Sequence, residues 1–190
     1  TGMNCYEFKG GTGTASRRCT INGETYTTGV LVQANFGARN DLNIRGVPVG
    51  CHLTENTLWN KPPYSTVQGS IIAIAITDAP LLPIQMQRIA RRIGLGVGRT
   101  GTPGENGSGD IFLALSTGND VRDDGNNVEP NVRYIPNSDL DPMFLATVEA
   151  TEEAIINALV AAETMTGQGG HTSHAINHDD LMEVMKKYNR

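Results

Sequence analysis

Cysteine is scarce in this sequence, and its spacing suits neither a disulfide framework nor a zinc site. The chain has three cysteines, Cys5, Cys19 and Cys51, and no two of them form a C-x-x-C pair. Disulfide scaffolds use an even number of cysteines, and structural zinc sites use paired ones. We therefore expect ordinary thiols in a reducing compartment and predict a cytoplasmic protein without a bound metal.

Long apolar runs and clusters of basic residues are also missing. The longest apolar stretch, Ile71 to Ile76, is far shorter than the roughly 20 residues that a membrane-spanning helix needs. The 15 Lys and Arg residues are scattered and the net charge is -5. We expect neither nucleic acid nor a membrane as a partner. The chain begins at Thr1 without a basic and apolar leader, so we expect no secretion signal.

What the sequence does contain is enough apolar material for one domain over residues 1–190, because 38% of its residues are hydrophobic. Its first third has short alternating runs rich in Tyr, Phe, Thr and Val, and Asn22-Gly23 predicts a hairpin between two of them. The runs "SIIAIAITDAP" and "GDIFLALSTGN" predict strands buried on both faces. The polar segments 53–69 and 118–139 predict loops.

Helical spacing of apolar residues predicts three helices, which with these strands make a layered α/β or α+β domain. The long one begins near Asp141, the predicted N-cap, and Gly167 would end it. Residues 96–101 match G-x-G-x-x-G, but they follow a helix, so we expect a loop and no dinucleotide site. The predicted helical segments are "LLPIQMQRIARRIGLGVG", "DPMFLATVEATEEAIINALVAAETMTG" and "DDLMEVMKKY".

A group of histidines near the end of the chain suggests a metal site at first sight. His171, His174 and His178 fit one helix face poorly because Gly169-Gly170 precedes them, and no acidic ligand has a fixed place. We expect these histidines to be structural or exposed, and we predict no cofactor.

The most informative stretch is Asn106-Gly107-Ser108-Gly109-Asp110, at the start of a predicted strand. A serine nucleophile needs a base, and no histidine lies nearby in sequence. If the chain is cut before Ser108, its new α-amine, with a pKa near ~8, can take the hydroxyl proton. Gly107 would leave its carbonyl open to attack. The alternative is a glycine-rich loop with an incidental serine.

These residues resemble the DmpA-type aminopeptidases, which comprise the L-aminopeptidase D-amidase/D-esterases and β-peptidyl aminopeptidases. The resemblance implies an α+β fold, the αββα sandwich. It also implies that the chain cleaves itself between Gly107 and Ser108. Residues 1–107 would end the α polypeptide and residues 108–190 would form the β polypeptide. The matching blocks include "TGMNCYEFKGGTGTASR", "GVLVQANFG", "IRGVPVG", "SIIAIAITDAPLLPIQ", "GSGDIFLALSTGN" and "LDPMFLATVEATEEAIINAL".

The resemblance also implies site residues. Ser108 would be the nucleophile, and Thr147 and Glu149 match a hydroxyl and a glutamate that the family carries two residues apart. As oxyanion donors we name Tyr6 and Asn35, since each ends a buried strand pattern. The substrate would be a short peptide, amide or ester.

Two further expectations come with the resemblance. Family precursors carry a substantial segment ahead of the first block, so we expect an N-terminally truncated chain that lacks part of its α segment. Family members assemble as tetramers, and we expect a homo-oligomer. The alternatives are an acyltransferase of the ornithine acetyltransferase type and a non-catalytic, unprocessed fragment.

Overall fold

The computed structural model describes residues 2–58, 69–119 and 131–190. Of the predicted loops at 53–69 and 118–139, residues 59–68 and 120–130 lie outside the described residues. Helices and strands are mixed along the chain, as an α+β domain requires. In chain order the elements are β1 (Asn4–Cys5), β2 (Phe8–Lys9), β3 (Gly11–Ile21), β4 (Glu24–Asn35), β5 (Ser70–Thr77), α1 (Pro83–Arg99), β6 (Ile111–Ser116), α2 (Asp141–Val160), β7 (Met165–Thr166), β8 (Thr172–Ser173) and α3 (His178–Lys187).

The central sheet has four strands in the order β3-β4-β5-β6. The first three are antiparallel to one another, and β6 runs parallel to β5. The hairpin predicted at Asn22-Gly23 is confirmed. Both residues have positive φ, 52° and 83°, as a type I′ turn requires.

Helices α1 and α2 cover one face of this sheet. A parallel pair needs a crossover, and α1 provides it between β5 and β6. Glycine allows α2 to lie close to β3, because a Cβ on Gly13 would be 1.9 Å from the carbonyl oxygen of Ala154. The two helices are also close, since a Cβ on Gly96 would be 2.5 Å from Thr151 Cβ. The core therefore lies between the helices and this face.

The other face of the sheet is apolar and is left uncovered by the described residues, whereas the sequence predicts that β5 and β6 are buried on both faces. In β5, Ile71 and Ala73 point to the helices, whereas Ile72 is 44% exposed. Strand β6 alternates in the same way. The described residues supply helices on one side only, so every second side chain remains open. The exposed members are Leu31, Ile72, Ile76, Ile111, Leu113 and Leu115.

Two helix ends differ from the predicted ones. Helix α1 continues through Gly96 to Arg99, where a loop is predicted, because Gly96 is packed against α2 and cannot leave the core. Helix α2 ends at Val160, short of Gly167, and Asp141 is its first residue instead of its N-cap. The chain after α2 turns into the β7–β8 hairpin, held where Ala175 N donates to Thr164 Oγ1 at 3.0 Å.

No helix in residues 2–58, 69–119 or 131–190 combines the length and the apolar character that crossing a membrane would require.

Candidate active site

The loop before Ser108 is tied down by its own side chains. Thr102 Oγ1 donates to Glu105 Oε2 at 2.9 Å and accepts from Gly104 N at 3.1 Å. Ser108 N then donates to the Glu105 carbonyl at 2.9 Å, closing a turn. The fixed turn gives Ser108 a defined position instead of leaving it on a loose glycine-rich segment.

Ser108 lies at the edge where the parallel strands β5 and β6 begin. Gly109 N donates to Ser70 Oγ at 2.9 Å, and Ile71 N donates to Asp110 Oδ1 at 3.0 Å. The same Asp110 oxygen accepts a hydrogen bond from Ser108 Oγ. The two residues that follow Ser108 are thus fixed to the first residues of β5, and the Ser108 hydroxyl is held by a carboxylate.

Asn35 lies beside this edge, at the end of β4. It pairs with Ser70, which places their Cα atoms about 5 Å apart. Asn35 Oδ1 accepts from Asn4 N at 3.0 Å, and the Asn4 side chain in turn accepts from Ser173 Oγ. Because a backbone N–H faces the Asn35 oxygen, the amide orientation is fixed. Within the described residues Asn35 Nδ2 makes no hydrogen bond, so this group has two N–H donors to offer.

Tyr6 is fully buried, and its hydroxyl holds the start of the Ser108 loop. The phenol lies 2.7 Å from Thr100 Oγ1 and accepts from Thr102 N at 3.1 Å. Thr100 Oγ1 donates its own proton to Val97 O at 2.7 Å, so Tyr6 must be the donor in the pair. Burial raises the pKa of Tyr6, which keeps the phenol protonated.

A buried arginine fixes the turn that carries Tyr6. Tyr6 and Glu7 both have positive φ, 51° and 61°, a region that few residues other than glycine occupy. Arg39 Nε donates to the Tyr6 carbonyl and Nη2 donates to the Glu7 carbonyl, each at 3.0 Å. Burial lowers the pKa of Arg39 to about 10, and the Glu7 carboxylate partly opposes this shift. The planar fork of the guanidinium therefore stabilises a backbone conformation that would otherwise be strained.

The other two predicted residues lie on α2. Thr147 is buried, and its hydroxyl donates to the Met143 carbonyl at 2.8 Å. Glu149 is on the surface side of the helix, where its Oε2 lies 3.4 Å from Arg17 Nε. The two residues thus leave the helix in different directions, as their spacing of two positions implies.

Glu149 and Ser108 are at opposite ends of the sheet. Arg17, the partner of Glu149, pairs with Thr28, which pairs with Thr77 at the end of β5. Ser70, which contacts Gly109, is at the beginning of β5. A strand rises about 3.3 Å per residue, so these two ends are roughly 23 Å apart. Within the described residues, the structure does not bring Glu149 into contact with Ser108.

Comparison with known proteins decides the family of this chain. The profile described as peptidase family S58 matches residues 1–173. The chain belongs to peptidase family S58. Two curated relatives carry the name beta-peptidyl aminopeptidase BapA. That from Sphingosinicella microcystinivorans is 47% identical over 200 residues, and that from Sphingosinicella xenopeptidilytica is 41% identical over 197 residues.

Solved structures agree with this S58 membership. The L-aminopeptidase D-Ala-esterase/amidase from Ochrobactrum anthropi, described as a variant of the Ntn hydrolase fold, matches all of the chain with a TM-score of 0.91 and 44% identity. The PH0078 protein from Pyrococcus horikoshii OT3 matches all of it with a TM-score of 0.89 and 45% identity. The predicted DmpA-type resemblance and the α+β fold class are confirmed.

The S58 chain spans about half the length of these curated relatives and solved structures. It is covered completely by the first BapA relative but corresponds to 50% of that protein, and to 48% of the second. The two solved structures are each covered over 51% of their chains.

Sequence reasoning proposed Ser108 as the nucleophile but gave no role to the residues that hold it. Asp110 follows Ser108 in the same motif and could have been found from that proximity. Ser70 and Thr102 could not, because a serine or threonine in a turn carries no signal of its partner. The catalytic roles predicted for Ser108, Tyr6, Asn35, Thr147 and Glu149 all stay predictions.

Within the described residues, no histidine side chain of the S58 chain hydrogen-bonds to Ser108. His178 Nε2 is 2.9 Å from the Val160 carbonyl, and His171 lies in the loop that joins β7 to β8. Across residues 2–58, 69–119 and 131–190 no group of three or more His, Cys, Asp or Glu side chains could hold a metal ion.

Proposed function

We propose that this chain is part of a serine aminopeptidase that releases the N-terminal residue of short peptides, amides or esters. The whole enzyme would become active when its Gly107–Ser108 bond is cleaved. The observation that carries the proposal is the position of Ser108, whose hydroxyl is held by Asp110 at the tip of a fixed turn. Membership of a peptidase family supports the reaction class.

The proposed reaction uses one residue as both nucleophile and base. After cleavage the free α-amine of Ser108, with an intrinsic pKa near ~8, takes the hydroxyl proton as Oγ attacks the substrate carbonyl. The amine then gives the proton to the leaving group. Water releases the acyl group from Ser108 Oγ, with the amine again acting as base. No cofactor takes part in this scheme.

Of the two candidate oxyanion donors, Asn35 is supported better by the geometry than Tyr6. Its Nδ2 hydrogens are free of other described partners, and it pairs with Ser70 beside the Ser108 loop. The proton of Tyr6 is already given to Thr100, so Tyr6 would have to break a buried hydrogen bond in order to donate. Pre-oriented donors of this kind stabilise the charge that develops on the carbonyl oxygen.

The uncovered apolar face of the sheet supports the predicted αββα sandwich. A second sheet packed on the face formed by Leu31, Ile72, Ile76, Ile111, Leu113 and Leu115 would remove their apolar surface from water. We place the N-terminal α segment of the whole protein there. A homo-tetramer and a cytoplasmic location complete the proposal, and light scattering of the purified protein measures the first.

Intact-mass measurement of the complete protein tests the proposal. We expect two polypeptides that separate between Gly107 and Ser108, and hydrolysis of aminoacyl p-nitroanilides. Ser108→Ala should stop both cleavage and hydrolysis, whereas Ser108→Cys should still cleave. Ser16→Ala, at an exposed serine of β3, is the matched control and should change neither. Full activity in a single uncleaved polypeptide would contradict the proposal.

The same preparation distinguishes the other possible functions. Acyl transfer to an added amine in preference to water would identify an acyltransferase. An uncut and inactive wild-type protein would identify a non-catalytic domain. The curated relatives are named beta-peptidyl aminopeptidases, so α- and β-aminoacyl p-nitroanilides should be assayed side by side.

A further inference from the structure

Self-cleavage starts from a chain in which a peptide bond joins Gly107 to Ser108. In that state the Ser108 nitrogen is an amide, whose lone pair is delocalised into the carbonyl. Its hydrogen is donated to the Glu105 carbonyl at 2.9 Å. The α-amine that would serve as base during turnover does not yet exist. Another group must therefore accept the hydroxyl proton of Ser108 when the chain is cut.

One carboxylate is already in hydrogen-bond contact with that hydroxyl. Asp110 Oδ1 accepts from Ser108 Oγ, and Ile71 N donates to the same oxygen at 3.0 Å. The bond to Ile71 fixes the carboxylate against the start of β5, so the side chain is held ready. Within the described residues no other side chain hydrogen-bonds to Ser108 Oγ.

The other nearby acid is used differently. Glu105 meets Ser108 through its backbone carbonyl, and its side-chain Oε2 accepts from Thr102 Oγ1 at 2.9 Å. Its carboxylate therefore shapes the loop, whereas the carboxylate of Asp110 contacts the reacting oxygen.

We propose that Asp110 is the general base of self-cleavage, an assignment that rests on the self-cleavage proposed above. Ser108 would then use two bases at two stages. Asp110 serves once, before the bond is broken, and the new α-amine serves in every later turnover. A positioned general base typically accelerates such a step by about 10²- to 10⁴-fold.

Self-cleavage needs no oxidant or reductant. The Ser108 hydroxyl proton moves to Asp110 Oδ1 while Oγ forms a bond to the Gly107 carbonyl carbon. The bond from that carbon to the Ser108 nitrogen then breaks, and Asp110 returns the proton to the nitrogen. This leaves an ester between Gly107 and Ser108 Oγ. One water molecule hydrolyses the ester, giving a carboxyl group on Gly107 and a free hydroxyl and amine on Ser108.

The test compares self-cleavage rates in the complete, freshly synthesised protein, followed by intact mass. Asp110→Asn is the sharp variant, because the amide oxygen can still accept from both Ser108 Oγ and Ile71 N but is not basic. We expect cleavage to slow by about 100-fold or more. Asp110→Glu should retain part of the rate. Asp78→Asn is the matched control, since Asp78 Oδ1 also accepts a backbone N–H, from Thr27 at 2.8 Å, at the other end of β5. It should cleave at the wild-type rate.

Chemical rescue separates proton transfer from support of the fold. Added formate should accelerate cleavage of Asp110→Ala at least about tenfold, whereas it should not affect the wild type. Wild-type protein that never cleaves would overturn the proposed function and this assignment together. If the wild type cleaves and Asp110→Asn cleaves at a rate within threefold of it, only the assignment of Asp110 as the base is overturned. Slow cleavage of Asp110→Ala without formate rescue would also overturn it.

Discussion

Tyr6 gives its phenolic proton to Thr100, since the hydroxyl proton of Thr100 is already given to the carbonyl of Val97. The same phenol oxygen accepts from Thr102 N, at the start of the loop that carries Ser108. The end of α1, a buried tyrosine and the loop are thereby joined through one oxygen atom. This relationship makes Tyr6 a support for the position of Ser108, whatever its part in catalysis.

Replacement of Tyr6 by phenylalanine should destabilise the complete protein by about 1–3 kcal/mol, the cost of leaving buried polar groups unpaired. The groups affected are Thr102 N and Thr100 Oγ1. Urea unfolding measures the change. Tyr134→Phe, at a residue that is 59% exposed, is the control and should lie within about 0.5 kcal/mol of wild type. Equal stability of the two variants would contradict the buried role of the Tyr6 hydroxyl.

The close approach of α2 to β3 predicts intolerance of a methyl group at Gly13. In Gly13→Ala the new Cβ would lie 1.9 Å from the Ala154 carbonyl oxygen, which requires the helix to shift. Overpacking of this kind costs about 1–3 kcal/mol or more, and thermal unfolding of the complete protein should show it. Gly98→Ala on α1 is the control and should not be destabilised, because a Cβ there would have no neighbour within 4 Å. If both variants unfold at the same temperature, the packing described for Gly13 is wrong.

The uncovered sheet face predicts a difference between two isoleucines of similar exposure. If a second sheet covers it in the complete protein, Ile72→Ala should cost about 2–5 kcal/mol, as for a core residue. Ile84→Ala, at the start of α1 and 59% exposed here, should change stability by no more than about 0.5 kcal/mol. Denaturant unfolding of the complete protein measures both. A neutral Ile72→Ala would show that this face is not buried.

Glu149→Gln should lower kcat with little change in stability if Glu149 belongs to the site. Its surface ion pair with Arg17 is worth at most about 1 kcal/mol. Glu153→Gln removes a carboxylate that contacts the same arginine and is the matched control. Steady-state kinetics with one p-nitroanilide compares them. If both variants keep wild-type kcat, or both lose it equally, Glu149 has no role of its own in turnover.

Local signals in the sequence predicted the local structure. Asn22-Gly23 fixed the hairpin because both positions need positive φ, which these residue types adopt easily. Helix α3 was also found from its spacing, and Asn177 caps it by accepting from Asp179 N at 2.9 Å. Ser108, the proposed nucleophile, was singled out because Gly107 and Gly109 flank it, a pattern that spacing alone left ambiguous.

What the sequence could not show depends on contacts between distant residues. The run Ile71 to Ile76 is apolar at every position, so it has no period from which to tell a strand buried on one face from one buried on both. Gly96 resembles a loop residue until its neighbour Thr151 is known. The contact of Ser70 with Gly109 joins residues 39 positions apart, and nothing near either residue indicates the other.

The parallel pairing of β5 with β6 has a consequence for how the protein would denature. Helix α1 and the loop after it form the covalent bridge between these strands, and the proposed scissile bond lies in that bridge. Once it is broken, β6 and α2 are held to the rest only by ladder hydrogen bonds and side-chain packing. Melting would then release two separate molecules, so the recovery of native protein on cooling should rise with concentration, as in any second-order association.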